Sequence, residues 1–153
     1  MKTHRWLIRY HTEDDLSFIY STWTHSYRYG SALGKSCRNS VFFKEYHQVI
    51  NWILSDQTTY VFVAALTETP EVILGYIACD PQVIHYLFTK EAFRNLGVAK
   101  SLIEAAGSPM IYTHKTFCLN DILTHHGDEF IYNPFILFKK VSDHGDKYKT
   151  AES

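Results

Sequence analysis

Two periodicities divide this chain. Leu16, Ile19, Trp23 and Tyr27 follow one another in steps of three, four and four, which sets them on one face of a helix. Thr12-Glu13-Asp14-Asp15 places a capping hydroxyl and an acidic turn at its start, and the alternating stretch Trp6-Leu7-Ile8-Arg9-Tyr10 before it predicts a short strand. Residues 30–40 (GSALGKSCRNS) read as a loop, with Ser40 capping a second helix whose stripe is Phe43, Tyr46, Ile50 and Ile53. From Thr59 the pattern changes to apolar runs. Residues 60–66 and 72–78 predict two strands joined by the turn Glu68-Thr69-Pro70-Glu71, and residues 83–89 a third, together an antiparallel meander.

A helix is expected over 96–106, burying Leu96, Ala99, Leu102, Ile103 and Ala106 and ended by Gly107. Strand 110–113, a weakly helical patch 119–123 and strands 130–132 and 135–138 complete the pattern, with Pro134 marking an edge or bend in the last pair. The expected class is α/β, mixed α+β: a twisted, mostly antiparallel sheet of six to seven strands with flanking helices, in the order β-α-α-β-β-β-α-β-α-β.

The 153 residues fit one domain, expected over 1–141, with a polar tail over 142–153. An apolar fraction of 46%, with 11 Tyr, 10 Phe and 3 Trp, is enough for a core, and a 20% charged fraction argues against disorder. Fifteen basic against sixteen acidic residues leave a net charge of −1, which removes generic coating of polyanions from the list of functions. No apolar run approaches the ~20 residues of a membrane span and the N-terminal apolar stretch is too short for a signal peptide, so a cytoplasmic protein is expected. Cys37, Cys79 and Cys118 form no C-x-x-C pair and read as reduced thiols. The adjacent His125 and His126 point to different sides with no partner at ligand spacing, so no metal is expected.

Candidate chemistry concentrates in Arg94-Asn95-Leu96-Gly97-Val98-Ala99, the pattern Arg-x-x-Gly-x-Ala, standing between the third meander strand and the following helix. Unpaired amides at a helix start attract an anion, the helix dipole adds roughly half a positive charge, and a glycine lets a phosphate approach the backbone. In this setting the segment IHYLFTKEAFRNLGVAKSLIEAA resembles the Gcn5-related N-acetyltransferases (GNAT), whose element order matches nearly the whole chain. FIYSTW, SYR, IHYLF, THKT and YNPF also resemble small GNAT-like proteins encoded in bacteriophage genomes, which would place the chain in a host cytoplasm.

The resemblance implies acetyl-coenzyme A as co-substrate. The amides of Leu96, Gly97, Val98, Ala99 and Lys100 would hold its diphosphate beside Arg94 and Asn95, and the backbone of Leu87, Phe88 and Thr89, in a bulged strand segment, would pair with the pantetheine arm. Ala99 stands where the family more often has a second glycine. Acyl transfer needs a neutral amine, yet an amine of pKa ~10.4 is only about 0.04% unprotonated at pH 7, so a proton acceptor is useful. His85 fits: alternation sets it on one strand face with Val83, Leu87 and Thr89, and some family members carry a base histidine there. The other reading of His85 is a half-buried histidine satisfied by a neighbour.

Many relatives use a tyrosine in the helix after the fifth strand to protonate the departing thiol, but residues 117–126 contain none; Cys118, Thr124, His125, a water or Tyr132 would have to substitute. Acceptor binding is expected at Trp23, Tyr27, Arg28, Tyr29, Lys35 and Arg38, an aromatic and basic group, with His114 either lining the cleft or lying in a surface turn. Core packing is the competing reading for Trp23 and Tyr27. The expected partner is a small-molecule or peptide amine; the charge balance disfavours nucleic acid, and a monomer or homodimer fits. The alternatives are a catalytically inactive GNAT-fold binding protein and an acyltransferase of a modified nucleobase or nucleotide.

Overall fold

The computed structural model describes residues 5–124 and 129–139. His125, His126 and the tail 142–153 lie outside the described residues. Six strands, β1 (Trp6–Tyr10), β2 (Tyr60–Leu66), β3 (Ile73–Cys79), β4 (Val83–Thr89), β5 (Ile111–Tyr112) and β6 (Ile131–Tyr132), form one sheet in sequence order. The pairs from β1 to β4 are antiparallel, whereas β4 with β5 and β5 with β6 run parallel. Helices α1 (Leu16–Gly30), α2 (Ala32–Ser36), α3 (Asn39–Ser55), α4 (Val98–Ala105) and α5 (Phe117–Thr124) flank it.

Each face of the sheet buries its own core. Ile19, Trp23 and Tyr27 of α1 and Phe42, Tyr46, Ile50 and Ile53 of α3 pack on Val61, Val63, Tyr76 and Tyr86; Val98, Leu102 and Ile103 of α4 and Leu119 and Leu123 of α5 pack on Leu74, Ile77, Ile84 and Leu87. At the entry to α1, Thr12 and Asp15 form a capping box and Arg9 grips Asp15 with both guanidinium nitrogens at 2.7 and 3.1 Å.

Several expectations need correction. Residues 30–40 are not all loop: Ser31 caps α2 by accepting from the Gly34 amide at 2.9 Å, and Arg38, not Ser40, precedes α3. With that start Phe42 joins the buried stripe, leaving Phe43 46% exposed. Helix α4 begins at Val98, so it buries Val98, Leu102 and Ile103, with Ala106 buried just past its end, while Leu96 is exposed and Ala99 only half-buried. Residues 136–139 are helical rather than extended: the Asn133 side chain accepts from the Phe135 amide at 3.2 Å and Pro134 opens the turn, its fixed φ suiting a first helical position.

The bulge in β4 also sits elsewhere than expected. Ala78 pairs with Tyr86 but Cys79 with Ile84, so the extra residue is His85. Because of it, Ile84 rather than His85 packs with Leu87, three residues on, beneath α4.

Candidate functional site

Strand β5 stays beside β4 only at Val83 and Ile84, closed by the Thr113 amide donating to the Ile84 carbonyl at 3.1 Å. Beyond that point β4 runs on to Thr89 while β5 has ended, and the two diverge. The Lys90 amide donates to Leu74 on β3 at 2.8 Å, so by alternation Tyr86 and Phe88 turn their backbone groups to β3 and Leu87 turns its own into the gap. Helix α5 closes the far side, and a cleft of about 450 Å³ opens between it and the start of α4, lined by residues that include Thr89, Arg94, Gly97, Lys100, Cys118 and Asp121. That volume suits a small-molecule ligand.

Two features of the cleft call for a polar, anionic occupant. The amides of residues 95–100 donate to no acceptor among the described residues; the first N–H of this turn with a backbone partner is that of Ser101, bonded to Gly97 at 3.0 Å. Gly97 holds φ +98°, a left-handed conformation that aims this turn outward, and a Cβ added to it would meet nothing nearer than Trp6 at 4.0 Å. The cradle is thus open to solvent. In addition the Thr89 hydroxyl is buried in the cleft wall with no hydrogen-bond partner, and the neighbouring Arg94 side chain is fixed by donating to the Thr89 carbonyl at 3.2 Å. An anionic ligand with polar groups along its tail answers both features.

Of the residues expected to hold the cofactor, Thr89, Arg94, Asn95, Gly97, Ala99 and Lys100 line this cleft. Val98 is buried under the sheet and Leu87 offers backbone only, whereas Phe88 offers nothing to the cleft, its backbone groups being turned to β3 and its side chain packed on the opposite core. Sequence reading missed Phe93 and the α5 contributors Phe117, Asp121 and Ile122, although positions 117, 118, 121 and 122 fall on one helical face and a second stripe in α5 was there to find.

The catalytic candidates are scattered. Cys118 lines the cleft; Tyr132 stands on β6, 42% exposed, its ring 5.3 Å from that of Tyr112, and is not among the lining residues. His85 is 0% exposed. Its Nδ1 lies 3.4 Å from the Thr113 hydroxyl and its Nε2, with no partner in hydrogen-bond range, lies 3.6 Å from Asp80. Burial alone would raise the Asp80 carboxyl, but the facing His85 ring and the bonds from the Gln82 and Val83 amides outweigh it and hold the carboxyl below the usual range.

The acceptor cluster is not assembled at the surface. Trp23, Tyr27 and His114 are core residues: the His114 ring is boxed by Tyr27, Trp23, Tyr46 and Tyr86 at centroid distances of 4.9 to 5.9 Å, and 2% exposure removes the surface-turn reading. Burial, with the nearby His85 adding to it, lowers the His114 pKa to about 3, so the ring is neutral. Burial likewise pushes the Tyr27 hydroxyl up to about 12. Arg28 is engaged in structure, donating to the Gly34 carbonyl at 2.7 Å and to Asn39 at 2.9 Å. Tyr29 is half exposed, and Lys35 reaches the cleft rim by sitting 5.2 Å above the Phe117 ring.

No protein-family model and no curated protein sequence matches the chain. Solved structures do. A Pyrococcus furiosus protein provisionally described as an acetyl transferase superposes with a TM-score of 0.55 at 14% identity, covering 90% of this chain and 91% of its own. The chain has the GNAT fold. A second GNAT-fold match is AAC(6')-Iy, solved in complex with the bisubstrate analogue CoA-S-monomethyl-acetylneamine, with a TM-score of 0.50, 15% identity and coverage of 84% and 91%. The chain spans only 12% of the fungal multi-domain GH3 beta-N-acetylglucosaminidase whose GCN5-related glucosamine N-acetyltransferase region it also matches, at 18% identity and a TM-score of 0.47. Among the described residues no helix is long and apolar enough to cross a membrane, and no cluster of three metal-ligating side chains occurs.

Proposed function

We propose that this GNAT-fold protein is an acyl-coenzyme A-dependent N-acyltransferase that moves an acetyl group onto a primary amine of a small molecule or peptide by direct attack. The observation that carries this reading is the run of unpartnered amides at residues 95–100, opening beside the buried, unpartnered hydroxyl of Thr89. These residues fit acetyl-coenzyme A: the amides of Leu96 to Lys100, with Arg94 and Lys100, hold the diphosphate, and Thr89 and the free backbone of Leu87 hold the pantetheine arm. When bound, acetyl-coenzyme A supplies an activated acyl group on a thiol leaving group of pKa ~8.5, which needs only a modest acid. Phe93 and Phe117 supply apolar wall, and Cys118, the one catalytic candidate that lines the cleft, supports a role as the acid for that thiol. His85 is fully buried and does not line the cleft, so it does not take the amine's proton directly.

The complete burial of His85 and the lack of a tyrosine in α5 favour a second reading, a GNAT-fold protein that binds acyl-coenzyme A without turnover. Titration calorimetry with acetyl-coenzyme A tests the shared part. Binding is expected, and Gly97→Glu, which sets a carboxylate among the amides, is expected to weaken it at least 100-fold. No heat at millimolar ligand, or unchanged affinity in the variant, overturns the cradle. Free-thiol release with a panel of amines and peptides then separates the readings: turnover supports the enzyme, binding without turnover the second reading.

A further inference from the structure

The three cysteines are free thiols in three different settings. Cys79 is buried in β3, and that burial pushes its thiol up to about 12, so it supplies no thiolate near neutral pH. Cys37, half-buried at the end of α2, packs against the core on the α1 face and does not line the cleft. Cys118, half-buried on α5, does line it, across from Arg94, Gly97 and Lys100. The Thr89 hydroxyl opens on the same cleft, 5% exposed and without a hydrogen-bond partner, and calls for a polar group of a ligand at that point. A ligand arm that leaves the cradle along the open side of β4 passes Thr89, then Leu87. Cys118 stands beside the next residue inward: burial raises the Tyr86 hydroxyl, and Cys118 lies near enough to add to the rise.

We infer that Cys118 is a modification site that forms a mixed disulfide with coenzyme A, the cleft presenting the sulfur of a bound coenzyme A disulfide to this thiol. The inference rests on the acyl-coenzyme A reading of the cleft and adds a regulation of the same site. A thiol placed to protonate the departing sulfur of coenzyme A is also placed to bond to it. The co-reactant is a disulfide of coenzyme A with a second, small thiol, whose nucleotide half takes the cradle while its S–S bond lies at the inner end of the arm.

The exchange is balanced. Cys118 gives its proton to water, and its thiolate attacks the coenzyme A sulfur. The bond between Cys118 and coenzyme A forms as the original S–S bond breaks, and the electron pair of the broken bond leaves with the small thiol as its thiolate. Cys118 is oxidised by one electron, the departing sulfur is reduced by one, and the coenzyme A sulfur keeps its level. The adduct fills the cleft from the cradle to Cys118, so it excludes acetyl-coenzyme A until an external thiol reverses the reaction. Selectivity over Cys37 comes from the cradle, which concentrates the disulfide at one thiol and not at the other.

The probe is coenzyme A joined by a disulfide to 5-thio-2-nitrobenzoate, whose release is followed by its colour while peptide mass spectrometry locates the adduct. A bound probe presents an effective concentration on the order of 1 mM, so at ~10 μM probe Cys118 is expected to gain coenzyme A about 100-fold faster than it reacts with the symmetrical nitrobenzoate disulfide at equal concentration. Cys37 is expected to react with both disulfides alike. Excess acetyl-coenzyme A is expected to protect Cys118 and leave Cys37 unprotected. Gly97→Glu is expected to remove the rate advantage while the symmetrical disulfide still reaches Cys118 at the wild-type rate. Equal labelling of Cys118 and Cys37 by the probe, nitrobenzoate rather than coenzyme A on Cys118, or an advantage that survives Gly97→Glu overturns the site. Calorimetry separates the two failures: acetyl-coenzyme A binding without selective exchange overturns the Cys118 site and leaves the reading of the cleft standing, whereas absence of binding overturns both.

Discussion

Gly97 and Gly34 are both required by the backbone, for different reasons that predict different outcomes. Gly97 needs its freedom of φ and not its lack of volume, since a Cβ there meets open space. Gly97→Ala is therefore expected to cost about 1 kcal/mol of stability, the strain of a left-handed L-residue, while acetyl-coenzyme A affinity changes by far less than in Gly97→Glu. Urea unfolding and calorimetry check the two halves. Gly34 is the converse: a Cβ would lie 2.1 Å from the Tyr27 carbonyl oxygen, so Gly34→Ala forces α2 away from α1 and is expected to cost about 3 kcal/mol by urea unfolding. Gly97 was legible because its motif names it. Gly34 was not, because nothing in GSALGKSCRNS says that a carbonyl from the preceding helix will press on that position. His114 was misplaced for a related reason: a histidine at the end of a strand reads as polar, and only the tertiary packing of four aromatic rings shows it buried.

At the level of elements, strand β4 carries the site, and what shapes it is mostly its partner's backbone. Gly75 on β3 lets β4 lie close: a Cβ would stand 2.4 Å from the Phe88 carbonyl oxygen and 3.2 Å from the Thr89 Cα. Gly75→Ala must push the cleft half of β4 outward, because both obstacles are backbone. The expected result is a stability loss of about 1 to 3 kcal/mol with a severalfold weaker affinity for acetyl-coenzyme A, the second effect arising because Leu87 and Thr89 are displaced relative to the cradle. Affinity unchanged beside a lowered stability would show that the strand does not contact the ligand. The meander and the α4 cradle were readable from apolar runs and one glycine. The bulge was not, since both faces of β4 are buried and the run 83–89 carries no alternation that fixes one register, and the offset appears only when Ala78 and Cys79 choose their partners. Helix α5 reads in the sequence only as a weak patch over 119–123, because the one capping hydroxyl directly before its start at Phe117 is that of Thr116, whose role as acceptor of the Leu119 amide shows only in the structure.

Across the whole molecule the buried ionisable groups set an acid limit. The pKa of His114 falls from 6.5 to about 3 on folding, so below pH 6.5 the unfolded chain takes up a proton that the folded one refuses, and stability is lost progressively as pH falls from 6.5 towards 3. The loss between pH 6.5 and 5 from this ring alone is about 2 kcal/mol. Asp15 acts in the same direction in a lower window: its bond from Arg9 holds the carboxyl below the ordinary value of 3.8, so its contribution is complete above that value and disappears as pH drops beneath it. Urea midpoints at pH 7, 6, 5 and 4 are expected to decline throughout, and His114→Phe, which keeps a ring in the box and cannot titrate, is expected to flatten the decline between pH 6.5 and 5. An undiminished slope in that variant would assign it to other histidines, and a wild-type curve flat down to pH 5 would mean that the box admits water and the ring is not held neutral by burial.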